Sequence, residues 1–188
     1  MTSSSTPGLT RFNAAEDGTA RAALDDICAS GAWAREILAR RPYRDAEELL
    51  TVSDAAVARL GPADLAEAMA AHPPIGRPTP GDPVSSREQR GMADAPADLR
   101  AEMLELTLAY QEKFGHVFLI CATGLTAEQM RDAVRRRIGN APHHEREIVR
   151  QELGRINRVR LARLAVTPAA TPATTPTTTP ATEGAAPP

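Results

Sequence analysis

The sequence is short of aromatics, thiols and lysine. Aromatic residues make up 3% of its 188 positions, it has two cysteines, and only Lys113 among its 22 basic residues is a lysine. With three Phe, two Tyr and one Trp, its core must be filled by Leu, Ile, Val, Met and Ala. Cys28 and Cys121 cannot form a disulfide framework and read as reduced core residues. The longest clearly apolar run, Val117 to Ala122, is far short of the roughly 20 residues that span a bilayer. The opening MTSSSTPGLT has neither a basic n-region nor an apolar h-region. The expectation is a soluble, cytoplasmic protein with no membrane partner. Charge of one sign is also missing: 22 basic against 24 acidic residues leave a net charge of -2. A nucleic-acid binder would usually show a basic balance and a high pI, so no nucleic-acid partner is expected.

Several motifs are absent as well. No P-loop or GxGxxG points to a nucleotide, and no HExxH or CxxC points to a metal. His143 and His144 are adjacent, so on a helix of 3.6 residues per turn their side chains diverge by about 100°. The residues therefore show no nucleotide fingerprint and no structural metal site.

What is present is helical patterning. Residues 1–8 read as a flexible N-terminus, 9–165 as one compact all-α domain, and 166–188 as a disordered tail. In that tail Pro168, Pro172, Pro176 and Pro180 recur among Thr and Ala with Glu183 as the only charge, too little apolar surface to offset ordering entropy. Arg21 to Arg40 has Leu24, Ile27, Trp33 and Ile37 near helical spacing, with Gly31 able to divide it in two. Asp45 or Ser53 could cap the next helix. Asp64 to Ala71 is Ala-rich and stops at His72-Pro73-Pro74. Pro96 to Phe114 places Leu99, Met103, Leu106 and Tyr110 on one face, with Leu104 and Leu108 beside it, and Gly115 ends it. Thr126 to Arg137 and Pro142 to Leu164 complete the domain. One segment conflicts with this helical pattern. His116 to Ala122 (HVFLICA) is β-branched and aromatic between Gly115 and Gly124, which predicts a short buried strand. A lone strand needs partners for its backbone groups, and a ligand could supply them.

Five residues at three places in the chain could carry chemistry. His72 ends a helix before two stiffening prolines. It either bonds the last helical carbonyls or performs acid–base work. Ser85 and Glu88 have the spacing of a capping box. Together with Gln89 they also form a polar triple just beyond the loop that follows His72. Arg160 lies one turn from Ile156 and next to Val159, so it can point partly inward, where a guanidinium needs an anion.

Taken together, these pieces resemble one family. AHPPIG (Ala71 to Gly76), SSREQRG (Ser85 to Gly91), YQEKFGHVFLICATG (Tyr110 to Gly124), RIGNAPHHE (Arg137 to Glu145) and INRVRL (Ile156 to Leu161) are similar, in order, to the blocks of the OHCU decarboxylases. OHCU is 2-oxo-4-hydroxy-4-carboxy-5-ureidoimidazoline, an intermediate of urate breakdown. The upstream WAREILARRPY (Trp33 to Tyr43) also fits. The resemblance implies an all-α homodimer that decarboxylates OHCU to (S)-allantoin without a cofactor. It also implies functional coupling to urate oxidase and 5-hydroxyisourate hydrolase. It further implies that His72, Glu88 and Arg160 are catalytic: His72 acts on the C4 hydroxyl, Glu88 orients His72 or the substrate N–H groups, and Arg160 holds anionic or carbonyl oxygens. Pro73, Ser85, Gln89, Phe118 and Ile120 would bind substrate, and the HVFLICA backbone would line the pocket. The alternatives are a non-catalytic helical ligand-binding module or a decarboxylase of a related ureide.

Overall fold

The computed structural model describes residues 6–77, 81 and 83–167. Among them the chain forms nine α-helices, a single 3-10 turn and no strand. The helices are α1 (Pro7–Ala14), α2 (Asp17–Asp25), α3 (Gly31–Leu38), α4 (Ala46–Ala58), α5 (Pro62–Ala70), α6 (Pro83–Glu88), α7 (Ala97–Phe114), α8 (Ala127–Arg137) and α9 (Pro142–Val166), with the 3-10 turn at Arg90–Met92.

Local chemistry sets most of the boundaries. Gly31 does divide the Arg21 to Arg40 stretch, because Ser30 accepts the Trp33 N–H at 3.3 Å and starts α3 afresh. Asp45, not Ser53, caps α4, accepting the Glu48 N–H at 2.8 Å. Ser53 lies inside α4, fully buried, and takes the Trp33 Nε1–H at 3.1 Å. Pro62 opens α5, and Asp64 reaches back to the Gly61 N–H at 3.1 Å. Thr126 and Gln129 cap α8 reciprocally, at 2.9 and 3.3 Å. Gly115, at φ 76°, ends α7 in a left-handed conformation that costs glycine least.

Three expectations about the helices need correction. Ser85 starts no capping box: α6 begins at Pro83, so Ser85 lies within it and Glu88 is its last residue. Leu104 and Leu108 leave the buried stripe of α7, which consists of Leu99, Met103, Thr107 and Tyr110. The folded part also begins before Leu9, since α1 starts at Pro7 and Gly8 is buried against α9. Residues 1–5 and all of the predicted tail from 168 onward lie outside the described residues.

Helix α9 is the spine, with α4 and α1 packed along it. The other close pairs are α2 with α3, α3 with α4 and with α5, and α7 with α8. The core consists of two apolar clusters. The first unites α1 to α5 with α9 around Trp33, Leu9, Leu24, Leu49, Leu65, Leu153 and Leu161. Each fully buried leucine contributes about 1.5–3 kcal/mol, so aliphatic packing does what the scarce aromatics cannot. The second gathers Ile75, Met92, Leu99, Met103, Tyr110, Met130 and Val134. HVFLICA runs between them. Leu119 belongs to the first cluster, whereas Phe118, Ile120 and Ala122 belong to the second. That alternation is what an extended chain produces. The expected short strand does not form: residues 117–122 have no regular secondary structure, their alternation between the clusters is what argues for an extended course, and no neighbouring strand pairs with them among the described residues.

Candidate active site

His72 follows the last turn of α5, its N–H bonded to the Met69 carbonyl at 3.0 Å. Its Nδ1 lies 2.8 Å from the Ala68 carbonyl. A carbonyl can only accept, so Nδ1 carries the proton and Nε2 keeps its lone pair. Nε2 is buried and has no hydrogen-bond partner among the described residues. Burial, and then the positive charge of Arg160, push the His72 pKa below its ordinary 6.5, against a weaker upward pull from the Ala68 bond and Glu88. The ring is thus a neutral base whose free nitrogen is shielded from bulk water.

Glu88 and Arg160 come together from α6 and α9. Arg160 Nε donates to Glu88 Oε1 at 2.9 Å and Nη2 to Oε2 at 2.7 Å, a two-pronged contact, while Nη1 donates to the Ile27 carbonyl at 2.9 Å. Arg163 approaches Glu88 Oε1 at 3.5 Å. The expected anion for Arg160 is therefore a carboxylate of the chain itself. Rather than bonding His72, Glu88 holds the guanidinium beside it. Of the five N–H groups on a guanidinium, two remain available to a ligand.

Gln89 pins the turn after the prolines: its Oε1 accepts the Gly76 N–H at 2.8 Å and its Nε2 donates to the Pro74 carbonyl at 3.3 Å. All eight residues singled out from the sequence (His72, Pro73, Ser85, Glu88, Gln89, Phe118, Ile120 and Arg160) line one cavity of about 30 Å³ at the seam between the two apolar clusters. Leu119 and Ala122, from the HVFLICA segment expected to line the pocket, complete its walls together with Ile75 and Ile156, whose side chains the sequence did not assign to the site. Their apolar character alone did not distinguish them from core residues. A second cavity of about 380 Å³, lined by Asp25, Asp26, Ile27 and Val84, also meets His72, Pro73 and Arg160. A wider cleft of about 660 Å³ touches the site at Glu88 and excludes His72, so it lies away from the imidazole.

Behind the site is a buried polar network that also escaped the sequence reading. Arg137 donates from Nε and Nη2 to Glu145 Oε1 at 2.9 and 2.7 Å. The same carboxylate takes the Tyr110 hydroxyl at 2.5 Å and the Asn140 amide at 2.7 Å. Burial and the Glu145 bond drive the Tyr110 pKa far upward, so it stays a phenol. Among the described residues no group of three or more His, Cys, Asp or Glu side chains could hold a metal, and no helix is long and apolar enough to cross a membrane.

Comparison with known proteins adds further findings. A family model described as OHCU decarboxylase matches residues 13–162. The uric acid degradation bifunctional protein TTL of Arabidopsis thaliana is 31% identical over 145 residues, covering 73% of this chain and 44% of that protein. The 2-oxo-4-hydroxy-4-carboxy-5-ureidoimidazoline decarboxylase of Amia calva is 33% identical over 81 residues, covering 43% of this chain and 46% of that one. The chain thus spans less than half the length of these curated relatives. A crystal structure of an OHCU decarboxylase in the presence of (S)-allantoin superposes with a TM-score of 0.68 at 28% identity, over 81% of this chain and all of that one. A crystal structure of (S)-allantoin synthase gives a TM-score of 0.64 over 83% of this chain and 53% of that one. At 16% identity, that likeness concerns the fold alone.

Proposed function

The chain belongs to the OHCU decarboxylase family, and on that premise we propose that it converts OHCU to (S)-allantoin and CO2. The observation that carries the reading is the unpartnered Nε2 of His72, buried beside the Arg160–Glu88 pair. In the reaction the bond from C4 to the carboxylate breaks. Its electron pair forms C4=C5 while the C5=N bond takes the charge and picks up a proton at nitrogen. His72 accepts the C4 hydroxyl proton as that C–O bond becomes a carbonyl, and C5 is protonated on one face. One proton is taken from water overall. The substrate is its own electron sink, so the residues need only orient, desolvate and stabilise charge.

The Arg160–Glu88 pair suits this role. A free guanidinium would grip the departing carboxylate and stabilise the ground state. Paired with Glu88, Arg160 still offers N–H donors to developing charge on ring oxygen or nitrogen. The walls of Ile75, Phe118, Ile120, Ala122 and Ile156 favour uncharged CO2 over carboxylate. Pro73, Ser85 and Gln89 would shape the ureido subsite. We further infer a cytoplasmic homodimer acting after urate oxidase and 5-hydroxyisourate hydrolase. The exposed apolar residues Leu104 and Leu108 on α7 are consistent with a partner subunit.

The test uses those two enzymes to generate fresh OHCU and follows the circular dichroism of the allantoin formed. Rapid appearance of one enantiomer, lost in His72→Ala and indifferent to chelator, is expected. A folded protein that leaves OHCU to its spontaneous decay would refute the reading in favour of a binding module or a related ureide.

A further inference from the structure

The extended segment has two edges, and buried side chains engage only one. Arg137 Nη1 donates to the Leu119 carbonyl at 2.9 Å, and Glu152 Oε2 accepts the Cys121 N–H at 2.9 Å. Leu119 and Cys121 are two apart, so in an extended chain these groups point the same way. Phe118 and Ile120 direct their N–H and C=O groups to the opposite edge. Among the described residues those groups make no hydrogen bond. Consecutive side chains of an extended chain face opposite sides, yet Phe118, Leu119 and Ile120 all line the His72 cavity. The cavity therefore meets the segment along an edge. A buried polar edge without partners is costly unless something pairs with it.

The anchors are built for holding. Arg137 stacks its guanidinium 4.4 Å from the centre of the Phe118 ring and is fixed by Glu145, which is 0% exposed. Glu152 is 8% exposed, and its other oxygen meets Arg155 at 2.8 Å on the solvent side.

Resting on the decarboxylase reading, we propose that Glu152 and Arg137 are positioning residues: they hold one edge of residues 117–122 so that the other pairs with the amide and ureido groups of the substrate. They touch no reacting atom. Their effect is on the register of substrate binding.

The test combines turnover with a titration of the full chain by (S)-allantoin, followed through the backbone amide resonances of residues 117–122. Glu152→Gln retains a carbonyl acceptor opposite Cys121, Glu152→Met removes it, and Arg155→Ala breaks only the outer ion pair. Losing the buried side-chain acceptor of the Cys121 N–H should raise KM and the allantoin Kd about five- to tenfold in Glu152→Met, with kcat changed less than about twofold. Glu152→Gln and Arg155→Ala should stay within about twofold of wild type. A folded Glu152→Met with wild-type KM and Kd, or a Glu152→Gln as impaired as Glu152→Met, overturns the inference. If Glu152→Met does not fold, the wild-type titration decides. Shifts at the Phe118 and Ile120 amides with an unmoved, slowly exchanging Cys121 amide support the proposal, and any other pattern overturns it. Should the wild type leave OHCU at its spontaneous rate, the decarboxylase reading fails separately. Allantoin shifts at Phe118 and Ile120 would then still support the positioning role for a ureide, and their absence would overturn it.

Discussion

His72 satisfies two demands with one ring. The sequence allowed it to be either a helix-end hydrogen-bonder or a base; the structure shows the first, Nδ1 serving the Ala68 carbonyl, and leaves Nε2 unpartnered at the cavity, which is what the proposed second role requires. Its lowered pKa has a pH signature. Activity that needs the neutral ring should hold steady as pH falls to 6.5, its ordinary pKa, and decline only in more acidic buffer. Stability responds differently. The unfolded chain protonates His72 near 6.5 whereas the folded ring resists, so stability falls as pH drops through 6.5 and levels off once the folded ring also protonates. A pH series of kcat/KM and of denaturant midpoints, for wild type and His72→Gln, checks both; the variant should lose the stability slope. The sequence singled out Glu88, which does line the His72 cavity, but not its partner, since S-x-x-E spacing is shared by capping boxes and says nothing about a residue 72 positions away. Arg160→Lys keeps the charge but not the fork, and turnover should fall at least about tenfold because an ammonium cannot hold both Glu88 oxygens and the substrate. Glu88→Gln leaves the guanidinium half-paired, so it should lose turnover and also up to about 3 kcal/mol of stability, measured by denaturant unfolding.

At the scale of elements, helix periodicity placed most of the helices well, because capping side chains and prolines act locally. It failed where tertiary contact decides. Ser53 has the chemistry of a cap, yet it is more useful to the buried Trp33 indole. Leu104 and Leu108 fit the stripe of α7 by spacing, but α8 covers only part of that helix. Its β-branched, aromatic composition marked HVFLICA as a break between helices, but the strand it predicted does not form, and the side chains that bond its backbone were not legible. Arg137 and Glu152 lie on α8 and α9, and nothing in a linear pattern links them to Leu119 and Cys121. Gly91 follows the same logic. A Cβ there would stand 2.0 Å from the Leu125 carbonyl oxygen, backbone that cannot step aside. Gly91→Ala should cost about 1–3 kcal/mol through overpacking and weaken activity by displacing Gln89 and Glu88. Thermal unfolding alongside the coupled assay checks this.

At the scale of the whole molecule, the site lies where two separately packed clusters meet, and its parts come from distant stretches of chain. His72 and Glu88 precede α7, whereas Arg160 follows α8. The sole lysine lies between them. Lys113 sits in the last turn of α7, its Nζ donating to the Ile138 and Asn140 carbonyls at 2.6 and 3.1 Å. A lysine-specific protease therefore has a single bond to sever, and severing it leaves the His72 imidazole on one fragment and the Arg160 guanidinium on the other. Because a helix must unwind before a protease can seat it, digestion should proceed only as fast as the chain opens, and a ligand spanning His72 and Arg160 should slow it. One cut, seen as two bands on a gel, would report how firmly the halves of this site hold each other.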